Sequence, residues 1–441
     1  MGELRNKLNS RFGKGVFLFV SRAFNSLAGL FFSLLAGRFL TVEDHGLFAS
    51  VVARMVIAQA ILEAGLQYSI VRFLAPAIRS GAEGEVQSII RASLWIKTIA
   101  MVGLGSLIAI ACVILSFWSG PQGVREILPD FGSPLMLWMI FVGGTSMSFV
   151  SYQEAILVSH GAYNRLSAWI PLTGVLRIAL FGGLFLFERG FGPEEIVFAY
   201  TFGPVISSVL FFFVFPAKFF FDLSQGTEWR SRLRALVSYN AFIVAASFFS
   251  IFSDWMEMLM LQESRDTGVY NAARMPLQGF MILLATMQSM FLPWFAGLKN
   301  ASEYRAVFLR VYRYLIPGAI LLAPGLAVLA WFIPFWFGPE YVASVHVLYF
   351  LYPGYLLKLL FAPLGTALFA LDRPRLVAVE AGARMAAGFL LNSFLIPGLG
   401  IMGAAISGFL SPFAGWFFLI FCYARFFKTG EFPFPEKTRA D

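Results

Sequence analysis

Eight basic side chains lie inside the apolar segments of this chain: Arg22, Arg54, Arg72, Lys97, Arg177, Arg274, Lys358 and Arg384. Five acidic residues share those segments: Glu63, Glu154, Asp254, Glu257 and Glu380. A charge at mid-bilayer costs roughly 2.5–3.5 kcal/mol on insertion scales, so it faces protein or water rather than lipid. The difference is an excess of three positive charges within the apolar layer. Guanidinium groups offer planar, paired donors and keep their charge in any surroundings, which suits anionic oxygens. The chemistry these residues suggest is non-covalent: a cavity that holds an anion.

Some of these charges have ordinary partners within reach. Lys97 and Glu154 both lie near the inner ends of their segments and are expected to pair. Asp254 and Glu257 lie at a depth similar to that of Arg274. Glu380 precedes Arg384 by four residues, the favoured orientation for a helical ion pair. Arg72 lies close to a segment end, from which its charge can snorkel to the interface. The others have no obvious carboxylate. Arg22 shares a helix face with Asn25, three residues on. Arg54 is followed by Gln59 and Glu63, which share a face. Arg177 and Lys358 complete the set. The candidate binding residues are therefore Arg22, Asn25, Arg54, Gln59, Arg177, Arg274 and Lys358. Glu63 and Asp254 are the candidates for proton or cation binding. No metal or catalytic cluster is expected.

These residues sit on an unusually apolar chain. Of its 441 residues, 59% are hydrophobic and 13% charged, against about 25% charged in a soluble domain. The mean hydropathy is +0.75. Runs of about 20 apolar residues recur from end to end, which predicts an all-α polytopic membrane protein. The short alternating segments of a β-barrel are absent. Twelve transmembrane helices are predicted, over 15–40, 46–75, 90–117, 134–158, 162–187, 194–215, 235–260, 268–296, 313–337, 343–371, 374–396 and 402–424.

The basic residues orient these spans. With the N-terminus inside, twenty-one Lys and Arg fall on inner segments and four on outer ones. Such a bias follows from the preference of cytoplasmic loops for positive charge. It accounts for the net charge of +8 without nucleic acid, and it predicts cytoplasmic N- and C-termini. The first apolar stretch contains Arg22 and lacks a small-residue cleavage site, so it is expected to be a retained helix rather than a signal peptide.

The two halves share punctuation. Asp44-His45-Gly46-Leu47-Phe48 recurs as Asp266-Thr267-Gly268-Val269-Tyr270. Phe117-Trp118-Ser119-Gly120-Pro121-Gln122 recurs as Phe335-Trp336-Phe337-Gly338-Pro339-Glu340. Gly190-x-Gly192 recurs as Gly398-x-Gly400, and Pro204 as Pro412. Six helices per half is an even number, so the repeat is parallel, with a pseudo-twofold along the membrane normal. The predicted domains are an N-terminal lobe 1–215, a cytoplasmic linker 216–234, a C-terminal lobe 235–425 and a tail 426–441. Phe432-Pro433-Phe434-Pro435 is expected to begin a short disordered end. Transporters built from such repeats place the substrate between the halves.

Several motifs carry a likeness. Val42-Glu43-Asp44-His45-Gly46-Leu47-Phe48 resembles the first-loop signature of polysaccharide flippases. Gly268-Val269-Tyr270-Asn271-Ala272-Ala273 resembles their start of helix eight. Phe337-Gly338-Pro339-Glu340-Tyr341 resembles the motif after helix nine. Ile396-Pro397 followed by Gly400-Ile401-Met402-Gly403-Ala404-Ala405 resembles their entry to helix twelve. The chain thus resembles the O-antigen/exopolysaccharide flippases of the multidrug/oligosaccharidyl-lipid/polysaccharide exporter superfamily. Lipid II flippases are similar but carry two further helices. The resemblance implies alternating access and a substrate of undecaprenyl-diphosphate-linked oligosaccharide, moved from the cytoplasmic to the outer leaflet of a bacterial inner membrane. It implies membrane lipids and polysaccharide polymerase machinery as partners. It also implies a cavity lined by helices one, two, seven and eight, which favours Arg22, Asn25, Arg54, Glu63, Asp254 and Arg274. No cofactor is expected; coupling would use a proton or sodium ion.

Other readings are weaker. Gly398-Leu399-Gly400-Ile401-Met402-Gly403 matches G-x-G-x-x-G, but no strand precedes it, so a dinucleotide site fails its context. There is no Walker motif. A drug/cation antiporter would favour an acidic cavity, and the excess here is basic. A glycan polymerase or ligase would need a large outer loop, which the predicted topology does not supply.

Overall fold

In a bilayer, a spanning backbone must satisfy its own hydrogen bonds, and a helix does so within one segment. The computed structural model follows that rule. It describes residues 2–63, 65–127, 134–187, 192–214, 229–295, 298, 300–371 and 373–433, and no strand occurs among them. The predicted linker 216–234 lies outside the described residues up to 228, as does the tail from 434.

The helices in order are α1 (Gly2–Phe39), α2 (Val42–Glu63), α3 (Leu66–Arg79), α4 (Glu83–Ile127), α5 (Pro134–Ser159), α6 (Tyr163–Phe187), α7 (Pro193–Val214), α8 (Trp229–Met260), α9 (Ser264–Arg274), α10 (Gln278–Phe295), α11 (Ala301–Leu322), α12 (Gly325–Phe337), α13 (Val342–Ala370), α14 (Pro374–Leu399) and α15 (Ile401–Thr429). Each predicted span coincides with one helical pass. Three passes are broken. Gly65, with φ of 66°, separates α2 from α3. A 3-10 turn, Met275–Leu277, separates α9 from α10. Ala323 and Pro324 separate α11 from α12. Eleven of the described helical stretches are long and apolar enough to cross a membrane; the α9–α10 pass is the interrupted twelfth. Large apolar side chains point outward along them, Phe213 at 84% and Leu321 at 82% exposure, as lipid contact requires. The chain is a multi-pass membrane protein.

Two compact units emerge. One is Met1–Val244 with Glu263–Gly268, and the other is Ala245–Gln262 with Val269–Asp441. In the first unit, α1 packs along α6, α2 along α5, and α7 against both α5 and α6. One core joins Leu66, Ile70 and Leu74 of α3 to Ile89, Tyr152, Ile156, Trp169 and Phe211. A second cluster packs Phe32 edge-on against Phe181 and at a tilt against Tyr200 and Phe48. In the second unit, α14 pairs with α15, and α13 packs on α10 and α15. Its core gathers Phe295, Tyr304, Phe308, Leu359, Leu368, Tyr423 and Phe426.

Phe432 corrects one expectation. It is buried and stacks on Phe426 at 4.3 Å. The helix α15 itself runs to Thr429. The beginning of the predicted tail is thus helical and anchored by an aromatic side chain.

Candidate functional site

The first unit holds five of the cations of the apolar segments. Arg22 of α1 forms an ion pair with Glu154 of α5, and its side chain stays half exposed. This corrects the pairing of Glu154 with Lys97. Asn25, one turn on, accepts the Gly174 amide at 3.0 Å; it fixes α1 against α6, where a glycine lets the backbone come close. Arg54 donates to Ser50 one turn earlier on α2. Gln59 donates to Glu63 at 2.8 Å and reaches Ser151 of α5 at 3.4 Å. The polar side chains among them all belong to α1, α2 and α5.

Lys97 of α4 lies deeper and is only 2% exposed. Its Nζ donates to the Ser148 carbonyl at 2.9 Å, to the Ser148 hydroxyl and to the Leu62 carbonyl at 3.5 Å. The last contact follows from the break at Gly65: a helix that ends leaves carbonyls without partners, and Lys97 supplies a donor. The rings of Phe149 and Tyr152 lie 5.2 and 5.5 Å from the ammonium. Arg177 is likewise committed within the unit. Its Nε donates to the Tyr200 carbonyl at 3.1 Å, and its guanidinium lies 3.9 Å from the Tyr200 ring centre.

The second unit gathers the remaining charges. Asp254 of α8 accepts Lys358 of α13 at 3.0 Å and lies 3.6 Å from Arg384 of α14. Arg384 also donates to Ser250 at 2.7 Å. The close partner of Arg384 is therefore on α8, although Glu380 also acts on it electrostatically from one turn away. Arg274 of α9 stacks its guanidinium 3.8 Å from the centre of the Trp255 ring. It is held by a cation–π contact as well as by the nearby carboxylates, which favours an ordered position over an exposed one. Ser253, Asp254, Glu257, Tyr270, Arg274 and Lys358 help to line a pocket of about 20 Å³, which has room for about one water.

The charge excess therefore has a place. The second unit carries Arg274, Lys358 and Arg384 against Asp254, Glu257 and Glu380, and is balanced. The first carries Arg22, Arg54, Arg72, Lys97 and Arg177 against Glu63 and Glu154. All three surplus positive charges belong to the first unit. Of the predicted residues, Arg22, Arg54, Gln59 and Glu63 fall on α1 and α2. Asp254, Arg274 and Lys358 fall in the balanced cluster. Asn25 and Arg177 hold α6 to its neighbours. Sequence reasoning missed Ser148, Ser151, Tyr200, Ser250 and Trp255, whose roles depend on which helices meet; only Trp255, beside Asp254, stood close to a chosen residue.

Known proteins share this fold. The probable low-salt glycan biosynthesis flippase Agl15 of Haloferax volcanii is 24% identical over 315 residues, which cover 69% of this chain and 64% of that protein; the match thus spans less than two thirds of the relative's length. An inward-facing multidrug resistance MATE family transporter of the MOP superfamily superimposes with a TM-score of 0.65 at 14% identity, covering 92% of this chain and 96% of that one. Lipid II flippase MurJ, in an inward closed conformation, gives a TM-score of 0.66 at 13% identity over 95% and 88%. At these identities the likeness is one of fold, and the twelve-helix, twofold-repeated architecture is consistent with it. The family described as polysaccharide biosynthesis protein matches residues 12–299, well over half of the chain, and to that family this protein belongs.

Proposed function

We propose that the protein is a flippase that carries undecaprenyl-diphosphate-linked oligosaccharide from the cytoplasmic to the outer leaflet, by alternating access, for cell-surface polysaccharide such as O-antigen or exopolysaccharide. The observation that carries this reading is the concentration of three surplus cations among the membrane spans of the first unit. A diphosphate is anionic, and arginine is the side chain that binds its oxygens in pairs. Arg22 is half exposed, so its guanidinium can exchange Glu154 for phosphate. Arg54 and Gln59 follow on α2, and an amide there suits sugar hydroxyls. Family membership and the likeness to a probable glycan biosynthesis flippase of Haloferax volcanii support a glycan substrate.

Uphill transport needs a coupling ion. In this reading a proton or sodium ion is taken by Glu63, which accepts from Gln59, or by Asp254, through exchange of its partners Lys358 and Arg384. The protein is a transporter rather than an enzyme, set in a bacterial inner membrane with its basic loops and both termini in the cytoplasm. Polysaccharide polymerase machinery would receive the product. A drug/cation antiporter shares the fold, but a cationic drug would meet a first unit with surplus positive charge. The test is reconstitution of the purified protein in vesicles with labelled undecaprenyl-diphosphate oligosaccharide in one leaflet. Protein-dependent appearance of label in the other leaflet supports the reading; label that stays in place refutes it.

A further inference from the structure

A groove of about 340 Å³ runs along one face of α6, lined by Asn164, Arg165, Ala168, Trp169 and Leu172. Its volume lies near the lower end of ligand pockets, which span about 300–1,000 Å³. Positions 165, 168, 169 and 172 follow the one-face spacing of a helix, so the described lining extends about 10 Å along α6 at 1.5 Å per residue. Its floor is rigid. Trp169 is buried, its indole N–H donates to the Ser207 carbonyl at 3.3 Å, and its ring packs edge-on against Phe211. Ala168 leaves the middle of the groove open. At one end, Asn164 and Arg165 are exposed in the first turn of α6. No hydrogen bond or ion pair joins Arg165 to another described residue. The bias of basic residues assigns that end to the cytoplasmic interface, the depth at which lipid phosphates lie.

We propose that this groove receives a polyprenyl phosphate from the inner leaflet, with the phosphate on Arg165 and Asn164 and the first isoprene units along Ala168, Trp169 and Leu172. Charge complementarity supplies the head contact. The apolar side chains of Ala168, Trp169 and Leu172 supply the tail contact. The inference rests on the flippase reading for its choice of lipid, and it adds a docking place on α6.

The experiment uses the full-length protein in phosphatidylethanolamine nanodiscs with a diazirine-bearing undecaprenyl phosphate. Photolabel is expected on the peptide that contains residues 164–172. Unlabelled undecaprenyl phosphate should compete, and an equal amount of phosphatidylglycerol should not. Arg165→Ala should lower labelling by about tenfold, and Ala168→Trp, which fills the groove, should abolish it while the protein stays monodisperse. Equal competition by phosphatidylglycerol, or unchanged labelling in both variants, overturns the proposal. Translocation is scored in parallel. Labelled protein that translocates nothing keeps the groove and refutes the flippase reading; translocation with no label on α6 keeps that reading and refutes the groove.

Discussion

Gly46 and Gly268, corresponding residues of the internal repeat, lie against each other's helix starts. A Cβ on Gly46 would collide with the Ser264 carbonyl and come within 2.8 Å of the Gly268 nitrogen. A Cβ on Gly268 would collide with the Val42 carbonyl and come within 3.1 Å of the Gly46 nitrogen. The contact is reciprocal: each glycine meets the residue four positions before the other. The first turn of α9 thus seats on the first turn of α2 within one compact unit, at a distance only glycine permits. Replacing either glycine with alanine forces backbone apart, and overpacking of this kind costs about 1–3 kcal/mol. Gly46→Ala and Gly268→Ala should each lower the unfolding temperature in detergent. Disulfide formation between Val42→Cys and Ser264→Cys should slow in both backgrounds, and unchanged rates would show that the approach is looser than described.

The Arg22–Glu154 pair separates function from stability. An exposed ion pair contributes about 0–1 kcal/mol, and the Arg22 side chain is half exposed. Arg22→Ala should therefore leave thermal stability nearly unchanged. Charged hydrogen bonds to phosphate are worth about 1.5–3 kcal/mol, so glycan-lipid transport should fall by about tenfold or more. The swap Arg22→Glu with Glu154→Arg should restore the pair without restoring full transport.

Asp254 behaves differently because two cations depend on it. Removing one partner of a buried charge pair costs about 3–5 kcal/mol, and the part exposure of this cluster puts Asp254→Asn toward the low end of that range. The loss should be visible as reduced melting temperature, and Asp254→Leu combined with Lys358→Leu should recover part of it. If Asp254 carries the coupling ion, any Asp254→Asn protein that folds should lose ion dependence of transport; retained dependence assigns coupling elsewhere.

Lys97 should act as a structural donor. Lys97→Met removes the donor from the Leu62 and Ser148 carbonyls, and a buried acceptor left unpaired costs about 1–3 kcal/mol. Hydrogen exchange around Gly65 should rise in this variant more than at the far end of α2. A uniform rise would mean that Lys97 does not pin the break.

The pass-level fold was legible because its signal is strong: runs of apolar residues at bilayer length and a one-sided distribution of Lys and Arg. The helix breaks were not, since a continuously apolar run hides a kink. Gly65, Pro276 and Pro324 mark the three breaks and could have been weighed more heavily. Depth along a span also gave the wrong partner for Glu154. It placed Lys97 near it, but which helices touch, and at what rotation, put Arg22 there instead. The same limit applies to Arg384, whose nearest carboxylate comes from α8 rather than from its own helix. The charge excess and its place in the first lobe were legible, since residues 1–215 hold all five of its cations and only two of the carboxylates; which side chains meet required the fold.

The most direct test of the central claim is translocation of labelled undecaprenyl-diphosphate oligosaccharide by reconstituted Arg22→Ala/Arg54→Ala protein beside the unaltered chain. The account predicts that the unaltered chain moves the label between leaflets and that the double variant, folded and monodisperse, does so at least about tenfold more slowly. Normal translocation by the double variant would contradict it.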